Sequence, residues 1–159
     1  GQDCKVIALN GRGRVIDFQM NDRCSAGTGR FFEVIARVLG VTLSELSELA
    51  LQSDKPCAIS KQCSVFAESE VISLVNSNVP LTDICAGVTE SIARRIKGMI
   101  YKVGLTEELV LTGGCAQNKA LALALERHMG VKLAPLSENP QIMGALGAAI
   151  FSLEHAAEQ

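Results

Sequence analysis

Five branched apolar residues recur at every fourth position over one stretch of the chain: Ile84, Val88, Ile92, Ile96 and Ile100. That spacing puts them along one side of a helix. A stripe this long has to be covered, so the chain is expected to fold around a long amphipathic helix that follows Pro80 and Thr82-Asp83. Upstream, Cys4–Leu9 and Arg14–Met20 read as strands around the turn Asn10-Gly11-Arg12-Gly13, because Asn-Gly between β-type runs is a strong hairpin signal. Residues 28–39 carry helical periodicity, and Gly40 suits its stop. Thr42-Leu43-Ser44-Glu45 fits a capping box and opens a short helix through about Leu51. A loop at 52–62 precedes a helix near 64–76. Glu107–Thr112 and Val131–Ala134 read as short strands. Gly113-Gly114 leads into a helix over 117–129, and Asn139-Pro140 begins a closing helix rich in glycine and alanine.

Composition narrows the class. The chain has 159 residues, of which 48% are hydrophobic and 20% charged, with a formal charge of −2. That is enough for one α/β domain with a substantial core. A basic excess and an aromatic stacking set are both lacking, so no nucleic-acid partner is expected. No apolar run approaches the roughly 20 residues that cross a bilayer, so no membrane partner is expected either. The six cysteines, at 4, 24, 57, 63, 85 and 115, show none of the Cys-x-x-Cys spacings of zinc ribbons or bacterial ferredoxins. A cytoplasmic chain with reduced or metal-bound thiols is the expectation.

Two of these cysteines open helix-starting motifs. Cys24 lies in Asn21-Asp22-Arg23-Cys24-Ser25-Ala26-Gly27-Thr28-Gly29-Arg30-Phe31, and Cys63 in Ser60-Lys61-Gln62-Cys63-Ser64-Val65-Phe66-Ala67-Glu68-Ser69-Glu70. A thiolate there would sit among free backbone N–H groups at the positive end of a helix dipole, a place suited to an anion or a metal–sulfur cluster. Two thiolates are half of the usual four, so a second copy of the chain would supply the rest.

Other motifs leave alternatives open. Gly113-Gly114 serves either a tight turn or the close approach of a ligand to backbone. Gly27-Thr28-Gly29 is either a helix cap or a nest of donors. Gln2 and Asp3 are either exposed or bind Mg²⁺ through water. The small residues Gly144 to Ala149 suit close helix packing or contact with a flat base. Cys4, Cys57, Cys85 and Cys115 are most simply packing residues or partly exposed thiols. His128 and His155 read as surface residues late in helices, and Glu68 and Glu70 as a solvated helix face.

Taken together, Gly1–Ile7, Phe18–Cys24, Gly27–Phe31, Cys63–Ser73, Thr112–Asn118 and Gly144–Ala149 resemble the ATP-dependent reductive activators of 2-hydroxyacyl-CoA dehydratases and the ATP-hydrolysing subunits of benzoyl-CoA reductases. Both belong to the superfamily of acetate and sugar kinases, heat-shock 70 proteins and actin. The resemblance implies the C-terminal lobe of an actin-like, ribonuclease H-like ATPase fold over residues 1–159, with a helical insertion at about 28–76 carrying the cluster cysteines. It also implies a preceding lobe with the first phosphate-binding hairpin, so the chain is expected to be part of a longer protein. It implies a homodimer sharing one [4Fe–4S] cluster through Cys24 and Cys63, with ATP or ADP and Mg²⁺ bound. Gly113, Gly114 and Asn118 map to an adenosine motif. Gly27, Thr28, Gly29 and Gly144 complete the expected cofactor-binding set, and Gln2 and Asp3 are the expected catalytic pair.

The expected function is one-electron transfer, coupled to ATP hydrolysis, from that cluster to a 2-hydroxyacyl-CoA dehydratase or related acyl-CoA reductase in an anaerobic setting. Reduced ferredoxin or flavodoxin is the expected donor. A small-molecule kinase of the superfamily is the alternative, as is a non-catalytic nucleotide-binding module. The kinase alternative leaves the paired cysteines unexplained, and the nucleotide-binding module predicts no iron and a monomer.

Overall fold

The computed structural model describes residues 1–21, 29–59, 64–105 and 108–157, leaving aside the side chains at 64, 65, 155 and 157. The first elements are the antiparallel strands β1 (Lys5–Leu9) and β2 (Val15–Met20), with Ile7 opposite Phe18 and a bulge between Ala8 and Leu9. Their turn is tied by Asn10, whose Oδ1 accepts from the N–H groups of Arg12 and Arg14 at 2.9 and 3.0 Å. Gly13 takes the left-handed position at φ +72°, which a side chain would resist. Ala8 turns to the core, while Ile7, Leu9, Phe18 and Met20 are about half exposed on the other face.

Three helices follow: α1 (Gly29–Leu39), α2 (Leu43–Leu51) and α3 (Ser64–Asn76). Gly40 (φ +69°) ends α1, and the Val41 N–H donates to Ala36 O at 3.0 Å, a helix stop closed by left-handed backbone. The capping box before α2 forms as read. Thr42 Oγ1 accepts from the Glu45 N–H at 3.2 Å, and Glu45 Oε2 from the Thr42 N–H at 2.7 Å.

The long helix α4 (Leu81–Val103) begins at Pro80, two residues before the expected Thr82-Asp83 start. Asp83 therefore lies in the first turn, where its carboxylate accepts from Ser53 Oγ at 2.6 Å. The whole predicted stripe is buried, and α4 packs against α2, α3, α5 (Lys119–Met129) and both strands. The closing helix α6 (Met143–Ala157) follows a 3-10 turn at Pro140–Ile142.

Two expectations fail in part. Glu107–Thr112 and Val131–Ala134 do not form strands of a sheet among the described residues. They meet in one parallel bridge between Leu109 and Leu133, with the Ala134 N–H donating to Leu109 O at 2.8 Å. An extended run becomes a ladder only with partners on its edges, and the described sheet holds β1 and β2 alone. The helix expected from residue 117 begins at Lys119 instead. A 3-10 turn over Gly114–Gln117 comes first, and Asn118 caps α5, accepting from the Leu121 N–H at 2.9 Å.

Two glycines within α4 have opposite surroundings. A Cβ on Gly87 would fall 2.8 Å from Cys57 Sγ and closer still to the Cys57 carbonyl, whereas one on Gly98 meets nothing within 4 Å. Gly98→Ala should stabilise the fold by about 0.5–1 kcal/mol, the ordinary helix-propensity gain. Gly87→Ala should instead cost about 1–3 kcal/mol through overpacking. Chemical denaturation of the two variants checks the reversal of sign.

Candidate functional site

Residues far apart in the chain converge where α1 begins. The Arg30 N–H donates to Gly1 O at 3.0 Å, and a Cβ on Gly29 would lie 2.7 Å from Gly1 N and 3.2 Å from Cys115 Sγ. Position 29 therefore has room only for glycine while the first residue, the start of α1 and the Gly114–Gln117 turn stay together. The neighbouring backbone is pinned too. Cys4 N–H donates to Asn21 Oδ1 at 2.7 Å, and Asn21 N–H to Cys4 O at 3.1 Å.

Gly29 and Cys115 from this junction line a cavity of about 350 Å³, within the range of small-molecule sites. Gly29, Phe32 and Glu33 come from α1, Ser44, Ser47, Glu48 and Leu51 from α2, and Gly114, Cys115, Gln117, Asn118 and Lys119 from the segment opening α5. Gln141 reaches in from the turn before α6. Apolar walls from Phe32, Leu43 and Leu51 with scattered amide, hydroxyl and charged groups suit a ligand with a flat apolar part and a polar part. Gly113 supplies the sharp bend before the cavity, at φ +84°, and its N–H donates to Pro140 O at 2.7 Å. Ser47 Oγ, accepting from the Ala120 N–H at 3.2 Å, ties α2 to the first turn of α5.

Of the residues expected to bind a cofactor, Gly29, Gly114 and Asn118 line this cavity, and Gly113 adjoins it. Gly144 does not line it: it lies on α6 with nothing near its Cβ position. Gln2 and Asp3 are exposed beside the junction, and Asp3 pairs loosely with Lys5 at 3.6 Å. Cys24, Cys63, Gly27 and Thr28 lie outside the described residues. Reading motifs one at a time misses the wall from α2. Its signal is Ser44, Ser47, Glu48 and Leu51, spaced so that a helix capped at Thr42 shows all four on one face.

The four described cysteines are free, and no group of metal-ligating side chains forms among the described residues. Burial pushes the thiols of Cys4, Cys57 and Cys115 above their ordinary range and that of Cys85 up to about 11. Thiols held neutral in this way are poor metal ligands, since the thiolate is the ligating form. His128 is half-buried rather than a plain surface residue, with Nε2 2.6 Å from Glu90 Oε2. Arg127 donates to the same carboxylate at 2.5 Å. Burial raises the Glu90 pKa, but these two partners outweigh it and leave the group below its usual range. Glu68 and Glu70 are likewise half-buried. No described helix is long and apolar enough to cross a membrane.

Residues 1–152 match the profile of the BadF/BadG/BcrA/BcrD ATPase family. The chain belongs to that family. It is 48% identical over 160 residues to the (R)-2-hydroxyglutaryl-CoA dehydratase activating ATPase of Acidaminococcus fermentans, covering 99% of this chain and 60% of that protein. The solved activator of the 2-hydroxyisocaproyl-CoA dehydratase from Clostridium difficile, with bound ADPNP, superimposes with a TM-score of 0.93 at 40% identity. That match covers 99% of this chain and 59% of the other. One of the benzoyl-CoA reductase subunits of Thauera aromatica is 34% identical over 153 residues, spanning 92% of this chain and 54% of the relative. The chain thus spans about three-fifths of the activators that it matches, and its α/β architecture is theirs over that span.

Two measurements follow from the junction and the buried thiols. Gly29→Ala should cost about 1–3 kcal/mol in chemical denaturation, because the new methyl meets backbone. Cys85 is fully buried, and its raised pKa favours the neutral thiol in the fold. Its contribution to stability is complete below pH 9.0 and drains away as pH rises towards about 11. Cys85→Ala should accordingly show a shallower loss of stability across that alkaline window.

Proposed function

We propose that this chain is the nucleotide-binding part of an ATP-driven reductive activator, which delivers one electron to a 2-hydroxyacyl-CoA dehydratase or a related acyl-CoA reductase. Residues 1–159 act as one lobe of an actin-like ATPase, with an insertion at about 28–76. The observation that carries the reading is that Gly29, which abuts Gly1, lines one cavity of about 350 Å³ together with Gly114 and Cys115. A family whose member binds ADPNP supports a nucleotide as the occupant.

In this reading adenosine lies against Gly113, Gly114 and Asn118, with Gly144 towards the base. Gly27, Thr28 and Gly29 offer backbone donors to the charged part. Gln2 and Asp3, exposed beside the junction, orient water and Mg²⁺ at the phosphates. Asn118 already spends its side-chain oxygen on the Leu121 N–H, so its amide nitrogen is the group left for ligand.

Cys24 and Cys63 are the proposed cluster ligands, completed by the same pair from a second copy around a two-fold axis. The fit is one of chemistry. The four described thiols are held neutral by burial, whereas Cys63 immediately precedes α3 and Cys24 lies just upstream of α1. Helix starts favour thiolates. A bound [4Fe–4S] cluster would supply the single electron, reloaded by a reduced ferredoxin or flavodoxin. α1 lends Gly29, Phe32 and Glu33 to the cavity and follows the Cys24 motif in sequence, so in this reading nucleotide occupancy is coupled to the cluster through α1. α1 also packs on α3, which extends the link towards Cys63.

Anaerobic iron and acid-labile sulfide analysis of the full-length protein, with its mass in solution, tests this reading. About two irons per chain in a dimer is the expected result, since four-iron clusters are held by four thiolates. Cys24→Ala and Cys63→Ala should each abolish the iron, and Cys57→Ala should retain it. A colourless, iron-free protein that still binds ATP would move the assignment to a kinase or a nucleotide-binding module.

A further inference from the structure

A buried hydroxyl in the cavity of about 350 Å³ has a hydrogen bond still to make. Ser47 lines that cavity from α2 and is only 7% exposed. Its Oγ accepts from the Ala120 N–H at 3.2 Å. That amide lies in the first turn of α5, where the helix itself offers no carbonyl to meet it. Asn118 takes the neighbouring Leu121 N–H, so Ser47 completes from α2 what the local cap leaves open. The hydroxyl hydrogen of Ser47 has no acceptor among the described residues.

Other helical hydroxyls in this fold spend that hydrogen on their own helix. Ser73 donates to Ser69 O and Thr89 to Cys85 O, both at 2.9 Å and one turn back, as such residues commonly do. Ser47 makes no such bond to Leu43 O. A buried donor left unmet is unfavourable, so an acceptor inside the cavity is the group that Ser47 lacks. Accepting from Ala120 also polarises the O–H and strengthens it as a donor.

The surroundings narrow what carries that acceptor. Leu43 and Leu51 lie one turn to either side of Ser47 on α2 and line the same cavity. They are 48% and 45% exposed, so Ser47 sits at the bottom of a notch between two leucines. A planar ring resting against those leucines meets the hydroxyl with its edge. On adenine the acceptors along that edge are ring nitrogens, whereas the exocyclic amine is a donor.

We propose that Ser47 is a specificity-determining residue of this cavity, donating its hydroxyl hydrogen to one ring nitrogen of a bound adenine. The inference rests on the nucleotide reading and adds to it the contact that recognises the base. Ring nitrogen, Ser47 hydroxyl and Ala120 amide then form one chain of hydrogen bonds from the ligand into the first turn of α5.

Binding of ATP and of its 1-deaza, 3-deaza and 7-deaza analogues to the full-length protein tests it, each analogue replacing one ring nitrogen by C–H. One of the three should bind the wild-type protein about 3- to 10-fold more weakly than ATP, the loss of a neutral hydrogen bond. Ser47→Ala should abolish that difference and leave the other two ratios unchanged, a pattern that a purely structural role for Ser47 would not produce. Ser47→Cys, close in volume but a weaker donor, should shrink the same difference and serves if the alanine variant does not fold. Variants that discriminate among the analogues as the wild type does would overturn the proposal. So would three analogues that all bind the wild type as ATP does. A wild-type protein that binds no ATP would overturn the nucleotide reading and this inference with it, whereas ATP binding without the expected pattern overturns the inference alone.

Discussion

The burial of one face of α4 is the interaction on which the rest of the molecule depends. Ile84, Val88, Ile92, Ile96 and Ile100 are all at most 7% exposed, and each branched side chain taken from water contributes about 1.5–3 kcal/mol. The local devices are smaller: a helix cap is worth about 1 kcal/mol, and an exposed ion pair such as Arg30–Glu33 from nothing to about 1. Those devices set where elements begin and end. The α4 stripe decides that α2, α3, α5 and the hairpin gather round a common axis at all.

What the sequence reveals follows from how local each signal is. The α4 stripe, the capping box at Thr42 and the stop at Gly40 are written within a turn or two of where they act, and each forms as read. The hairpin is also legible, and its turn places Gly13 in the left-handed region. The segments at 107–112 and 131–134 are not, because an extended run shows its β propensity in sequence but takes its ladder from neighbours elsewhere in the chain. The start of α5 departs from expectation for a local reason: Asn118, expected at a ligand, has a side chain that also caps a helix.

The candidate site divides in the same way. Gly29, Gly114 and Asn118 are recognisable as motif residues and do share one cavity. The contribution of α2 lies in an unremarkable polar face, Ser44, Ser47 and Glu48, which gains meaning only once Ser47 is tied to α5. Family membership adds what geometry does not: an ATPase family, with a similar activator solved with bound ADPNP.

The meeting of Gly1, Gly29 and Cys115 has a consequence for how the molecule assembles. Gly29 and Gly114–Cys115, from the first quarter and the last third of the chain, must come together before the cavity has walls. Loop closure on that scale is entropically unfavourable until the central helices have packed. The pocket therefore depends on long-range closure rather than on any one local element. A ligand that fills it binds the folded state and draws the folding equilibrium towards it.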